Sequence, residues 1–283
     1  MPVIKPLSVN LSEWSHIKIG TECSDFYLPE SLEQLLEMYD IAAKINKKVL
    51  LLAGGSNILF GKVDDYIVVS DARLPSYWRQ EGKEIIVSGN YNITRLLMKI
   101  ARLDLGGLEF LGGIPAHIAG LVRMNAGAFG SQIADYIKFI TIIDQHKSRV
   151  IPRADINFSY RHSNITGCIT EIRLAPEIVP YKEILTKIKA NILTRSRLTP
   201  INLPNLGSIF KNPQDASAGY LLDKAGFRGK RLGDAAFSSL HANIMVNLGK
   251  ATFSDAWSLI TAAREKVKKD FNINLKLEIE VVN

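Results

Sequence analysis

The chain has 283 residues, 47% of them hydrophobic and 22% charged, which is ordinary for a globular protein able to bury a core. No run approaches the roughly 18 apolar residues of a membrane helix, and the opening MPVIKPLSVNLSEW lacks the apolar core of a secretion signal, so a cytoplasmic protein without membrane insertion is expected. The formal charge of +7 favours anionic partners, and the two cysteines, Cys23 and Cys168, lie far apart with no metal-ligand spacing, so neither a disulfide framework nor a metal site is expected.

In chain order, the apolar pattern Leu32, Leu35, Leu36, Met38, Tyr39 predicts a helix from about Ser31, followed by strands at Val49–Leu52 and Tyr66–Val69. A further strand at Ile85–Val87 precedes a helix near Thr94–Leu103, in which Leu96, Leu97, Ile100 and Leu103 recur at helical spacing. The block GGLEFLGGIPAHIAGLVRMNAGAFG (106–130) then holds seven of the 20 glycines, which implies a backbone approached closely by a ligand or by neighbouring chain. Strand-like runs FITIIDQ and CITEIRL flank the loop NFSYRHSN. The basic helix YKEILTKIKANILTRSRL (181–198) sets Ile184, Leu185, Ile188 and Ile192 on one face, and a change of domain is placed in 178–198. Few aromatics accompany its lysines, which argues against nucleic acid and for a solvated helix face. Near the end, TFSDAWSLITAAREKVKKDF predicts a helix with Ser254 as N-cap, and LKLEIEVV predicts a strand whose Leu275, Leu277, Ile279 and Val281 alternate with charges.

Two stretches carry potential chemistry. In KVLLLAGGSNILFG the glycines follow a strand, but no helix pattern follows them, so this is no dinucleotide-binding turn of the Rossmann kind. Gly54, Gly55, Ser56 and Asn57 can either form a structural turn or aim successive N–H groups at an anion. In GIPAHIAG, Pro115 lies near a helix start whose free N–H groups could meet a phosphate, or the glycines pack as a tight bend. Ser208, Arg161 and Glu278 are, residue by residue, by default a turn former, a surface or salt-bridged cation and a charged position of an amphipathic strand.

Taken together, AGGSNIL, GLEFLGGIPAHIAGLVRMNAGAFG, YRHS, GSIFKNP, HANIMVN and the terminal LKLE resemble, in order and over nearly the whole chain, the UDP-N-acetylenolpyruvoylglucosamine reductase family. The resemblance implies an α+β protein. An FAD-binding domain of the vanillyl-alcohol-oxidase (PCMH) type would be made of two α/β subdomains (1–74 and 75–194), followed by a substrate-binding α/β domain (195–283). It implies FAD and NADPH as cofactors, the enolpyruvyl ether of UDP-N-acetylglucosamine as substrate, and a monomer. Carried over position by position, Gly54, Gly55, Ser56, Asn57, Gly113, Ile114, Pro115, Gly120, Asn125 and Gly127 would bind the flavin. Ser208 would donate a proton, Arg161 and Glu278 would stabilise the enolic charge, and Asn212, Lys211 and Arg197 would hold the sugar diphosphate. Ala53 stands where the family has a further glycine, and PAHIAG replaces its usual Gly-Ser/Thr-Val-Gly-Gly. The tyrosine-bearing insertion of one subgroup is absent. An oxidase on the same scaffold acting on another small substrate, or a non-catalytic nucleotide-binding relative, are the competing readings.

Overall fold

A computed structural model describes residues 4–144 and 147–283; Gln145, at the end of the expected FITIIDQ strand, lies outside the described residues. Contacts divide the chain into two compact units, the first mainly Asp25–Gly54 and Asp65–Leu193, the second Ser8–Ser24, Gly55–Asp64 and Thr194–Asn283. The division near the C-terminal third falls inside a helix.

The first unit begins with a parallel arrangement. The strands Glu22–Tyr27 and Lys48–Leu52 both pair with Tyr66–Ser70, with Phe26 and Leu50 each opposite Val68. Helix α1 (Leu32–Lys44) covers them. It starts at Ser31, whose side chain accepts the Gln34 N–H, and buries Leu35, Met38 and Ala42 against Tyr27, Ile67 and Val69. Parallel strands need such a crossover, and the near-continuous apolar run of Tyr66–Ser70 is what burial on both faces demands.

The rest of this unit is an antiparallel five-stranded sheet in the order Lys147–Pro152, Ile137–Asp144, Cys168–Leu174, Glu84–Ser88, Trp78–Glu81. Helices α2 (Ile93–Ala101) and α3 (Ile118–Arg123) pack Leu96, Leu97, Ile100, Leu121 and Val122 into one core with Ile85, Val87, Ile140, Ile142 and Ile172. The expected helix extended to Leu103, but α2 ends two residues earlier: the Leu103 N–H turns back to the Ile100 carbonyl at 2.9 Å, and the side chain is exposed. In α4 (Tyr181–Leu198) only Ile184 and Ile188 are buried, whereas Ile192, placed on the same face by its spacing, is exposed.

The second unit is built on an antiparallel sheet in the order Asn205–Ser208, Ile244–Asn247, Ala235–Phe237, Arg231–Leu232. Helices α5 (Ala218–Lys224) and α6 (Phe253–Phe271) cover it, and Phe210, Phe227, Phe237, Leu222, Met245 and Ile260 fill the core. The N-cap of α6 is Thr252 and not Ser254: Thr252 accepts the Asp255 N–H at 3.1 Å while Asp255 accepts the Thr252 N–H at 3.0 Å, a reciprocal capping box.

The expected strand over 275–282 is two shorter pieces. Leu277 makes an isolated bridge with Phe210, the chain bends at Glu278 and Ile279, and Glu280–Val282 pairs in parallel with Ile58–Phe60. The bend has a local cause: the Glu278 N–H donates to the Ile209 carbonyl at 2.8 Å and the Glu280 N–H to the Asn57 carbonyl at 2.9 Å, so successive residues bond to different neighbours.

Candidate functional site

The first glycine loop follows the Lys48–Leu52 strand and leads into the Ile58–Phe60 strand without a helix. Gly55 has φ +65°, a sign inversion that lets neighbouring N–H groups face one point. Among the described residues, the N–H groups of Gly54, Gly55 and Ser56 have no hydrogen-bond partner. The Asn57 side chain donates from Nδ2 to the Glu278 carbonyl at 3.0 Å.

In the second loop Gly113 has φ +82° and Pro115 lies two residues before His117, the N-cap of α3. The start of α3 is partly closed, because the Ile118 and Ala119 N–H groups donate to the carbonyls of Tyr91 and Gly89 at 3.0 and 2.9 Å. The N–H groups of His117 and Gly120 have no partner among the described residues, and nothing lies within 4 Å of where a Cβ on Gly120 would stand. The two loops meet: a Cβ on Gly54 would lie 3.6 Å from the His117 nitrogen and 3.9 Å from the Ala116 Cα. Ile114 bonds only within its own turn, its N–H reaching the Leu111 carbonyl at 3.2 Å and its carbonyl the Ala116 N–H at 3.1 Å.

Further along the block, Asn125 is 2% exposed and its carboxamide is fully engaged inside the protein. Nδ2 donates to Gln132 Oε1 at 2.8 Å and to the Ser159 carbonyl at 3.0 Å, and Oδ1 accepts the Ala134 N–H at 3.3 Å. This ties the glycine block to the hairpin of Phe158–Ser159 and His162–Ser163, whose two-residue turn is Tyr160 and Arg161. Arg161 has φ +54°; its Nη2 donates to the Gly127 carbonyl at 2.6 Å, and its guanidinium lies 5.1 Å from the Tyr160 ring centroid. Gly127 is required here, since a Cβ would lie 2.6 Å from the Ser131 carbonyl oxygen.

In the second unit Ser208 ends the Asn205–Ser208 strand after a bulge, opposite Ile244, with Gly207 at φ +66° before it. Its hydroxyl has no partner among the described residues. The following residue, Ile209, accepts the Glu278 N–H, so the Ser208 and Glu278 backbones are neighbours, and Asn57 holds Glu278 from its carbonyl side. Lys211 bonds by its N–H to the Lys276 carbonyl at 2.9 Å, and Asn212 uses Oδ1 to accept the Ala218 N–H at 2.9 Å, which organises the start of α5. Arg197 is exposed in the last turn of α4.

One pair has no counterpart in the sequence pattern. His117 Nδ1 lies 3.1 and 3.3 Å from the two carboxylate oxygens of Asp71, with side-chain exposures of 26% and 10%. The Asp71 carboxylate raises the imidazole above its ordinary value, against an opposing effect of burial. Cys168 is buried and unpaired, and burial pushes its thiol up to about 12, so it is inert.

Fold and loops define a flavoprotein: residues 25–151 match the FAD binding domain family, and within the first unit the N–H groups of Gly54, His117 and Gly120, unpartnered among the described residues, fit an anionic cofactor. Residues 199–282 match the C-terminal domain of UDP-N-acetylenolpyruvoylglucosamine reductase. The reductase of that name from Moorella thermoacetica is 34% identical over 96% of this chain and 91% of its own length. That of Aquifex aeolicus is 35% identical over 97% and 94%. The crystal structure of the reductase from Thermus caldophilus superposes with a TM-score of 0.84 at 29% identity, covering 99% of this chain and all of that one. The chain belongs to the UDP-N-acetylenolpyruvoylglucosamine reductase family, and with its FAD-binding domain it is an FAD-dependent oxidoreductase.

Proposed function

We propose that this chain reduces the enolpyruvyl ether of UDP-N-acetylglucosamine to UDP-N-acetylmuramate, a step of peptidoglycan precursor synthesis, with NADPH as reductant, as a cytoplasmic monomer. Bound FAD supplies the two-electron chemistry that links NADPH to the substrate double bond. The protein must then hold the substrate carboxyl, stabilise the charge that collects there as hydride adds to the terminal carbon, and protonate the neighbouring carbon.

Arg161 is suited to the charge. Its Nη2 donates to the Gly127 carbonyl and its guanidinium lies against the Tyr160 ring, two contacts that fix where its positive charge stands. Glu278, carrying its proton, would donate to the same developing enolate. Ser208 would give its hydroxyl proton to the carbon and regain one from solvent; a serine is a weak acid, so its position matters more than its acidity. Lys211, Asn212 and Arg197 are assigned to the sugar diphosphate.

The observation that carries this reading is the backbone link from Ile209 to Glu278 to Asn57: the residue after Ser208 accepts the Glu278 N–H, which supports a proton donor and an acid acting at one place. The test separates the two half-reactions. Anaerobic NADPH should bleach the flavin absorbance, and the enolpyruvyl ether should restore it. Ser208→Ala should leave bleaching intact and slow recolouring on the order of a hundredfold or more, the scale of a lost general acid. Equal slowing of both would remove Ser208 from the proton-transfer step.

A further inference from the structure

His117 sits inside the second glycine loop, yet as the N-cap of α3 its side chain makes no capping bond. Its Nδ1 faces Asp71 instead. A carboxylate only accepts, so Nδ1 carries a hydrogen, and Nε2 is left as the ring nitrogen with no partner among the described residues. The ring also lies along the first loop, with its Cδ2 3.9 Å from where a Gly54 Cβ would stand. It lines a cleft of about 560 Å³ together with Ser76, Asn90, Asn92, Thr94 and Arg95. An arginine, the histidine, the hydroxyls of Ser76, Tyr91 and Thr94 and two carboxamides, with no carboxylate in the lining, suit an anionic group.

We propose that His117, oriented by Asp71, donates from Nε2 to the diphosphate of FAD and thereby ties cofactor retention to pH. This rests on the flavin reading of the chain and adds to it a titrating ligand within the glycine loop. The imidazolium donates from both nitrogens. Once neutral, with Nδ1–H kept on Asp71, Nε2 becomes an acceptor and faces the phosphate oxygens with a lone pair. Asp71 favours the charged form. Of the other groups around the pair, Arg95 from α2 brings a fixed positive charge, Tyr91 lines the cleft, and behind Asp71 the Cys168 thiol, near Arg123, stays neutral because burial holds it at about 12. His117 is therefore the group whose ordinary range falls between pH 6 and 9. By linkage, FAD should in turn raise the pH at which His117 loses its proton.

The test measures FAD binding to full-length apoprotein by flavin fluorescence from pH 6 to 9, with riboflavin, which lacks the diphosphate, as a second probe. FAD affinity should fall on the order of tenfold or more across this range, the scale of losing a charge-assisted hydrogen bond, while riboflavin binding stays flat. His117→Gln should flatten the FAD profile. Asp71→Asn, which keeps the imidazole, should move the midpoint to lower pH. Proton NMR of the His117 ring should show its titration displaced upward by FAD. Tight FAD binding with the same pH profile in wild type and His117→Gln overturns the proposal, as does equal pH dependence for riboflavin. Absence of FAD binding at every pH overturns the flavin reading and this one with it.

Discussion

At the scale of single residues, the first glycine loop shows two separate demands on one position. Gly55 is buried with φ +65°, and a Cβ there would run into the Trp14 carbonyl oxygen. Gly229, in the same unit, has φ +71° but nothing within 4 Å of a Cβ. A left-handed conformation alone costs an alanine about 1 kcal/mol, so Gly229→Ala should lower stability by about that much. Gly55→Ala adds the clash with Trp14 and should cost about 3 kcal/mol or more, read as the shift of the urea midpoint. Equal losses would mean that the loop yields at Trp14 without strain. Sequence patterning singles out Gly54 and Gly55 because glycine pairs at a strand end are visible locally. It cannot find His117 and Asp71, which are 46 positions apart and meet only because the turn after the Tyr66–Ser70 strand comes back against α3. Nor can spacing reveal that the Asn125 carboxamide is engaged on Ser159, Gln132 and Ala134, so that its side chain braces the Arg161 hairpin from inside.

At the scale of elements, helices are legible where capping and periodicity agree. Ser31 and the apolar stripe of α1 both mark the same start. In α6 two hydroxyl residues compete for the cap, and periodicity cannot choose between them; the choice is made by Asp255, which completes the box with Thr252. Thr252→Ala should therefore cost about 1 kcal/mol and lower the melting temperature by about 3 °C. Ser254→Ala, at an exposed helical position, should change stability by less than about 0.5 kcal/mol. An equal fall in both variants would show that the box does not hold the helix. The terminal segment departs from its pattern for a physical reason: alternation from Leu275 to Val281 satisfies the pattern of a strand whether or not one partner runs along it. Here three different partners, Phe210, Ile209 and the Ile58–Phe60 strand, take successive residues, and the bend at Glu278 is the result.

At the scale of the whole chain, the second unit is assembled from three separated stretches, and this has a direct consequence for folding. Residues 199–282 form a recognisable family domain, yet its core includes Ile17, Ile19 and Leu59, all 2% exposed or less. The Glu280–Val282 strand has its partner at Ile58–Phe60, and the buried Asn247 donates through Nδ2 to the carbonyls of Ile17 and Lys18 at 3.0 and 3.2 Å. A fragment starting at Thr194 would lose three core side chains, expose an unpaired strand edge and leave Asn247 without these acceptors. Each buried side chain contributes about 1.5–3 kcal/mol and an orphaned buried amide costs about 1–3 kcal/mol. Together these losses match or exceed the whole stability expected of so small a domain. The fragment should therefore show no cooperative thermal transition by circular dichroism and should bind a dye for exposed apolar surface. Adding back Ser8–Ser24 and Gly55–Asp64 through flexible linkers should restore a cooperative melt, because those two stretches carry every missing partner just named. A fragment from Thr194 that melts cooperatively on its own, at the temperature of the intact chain, would show that these contacts are accessory and that the C-terminal family domain folds independently.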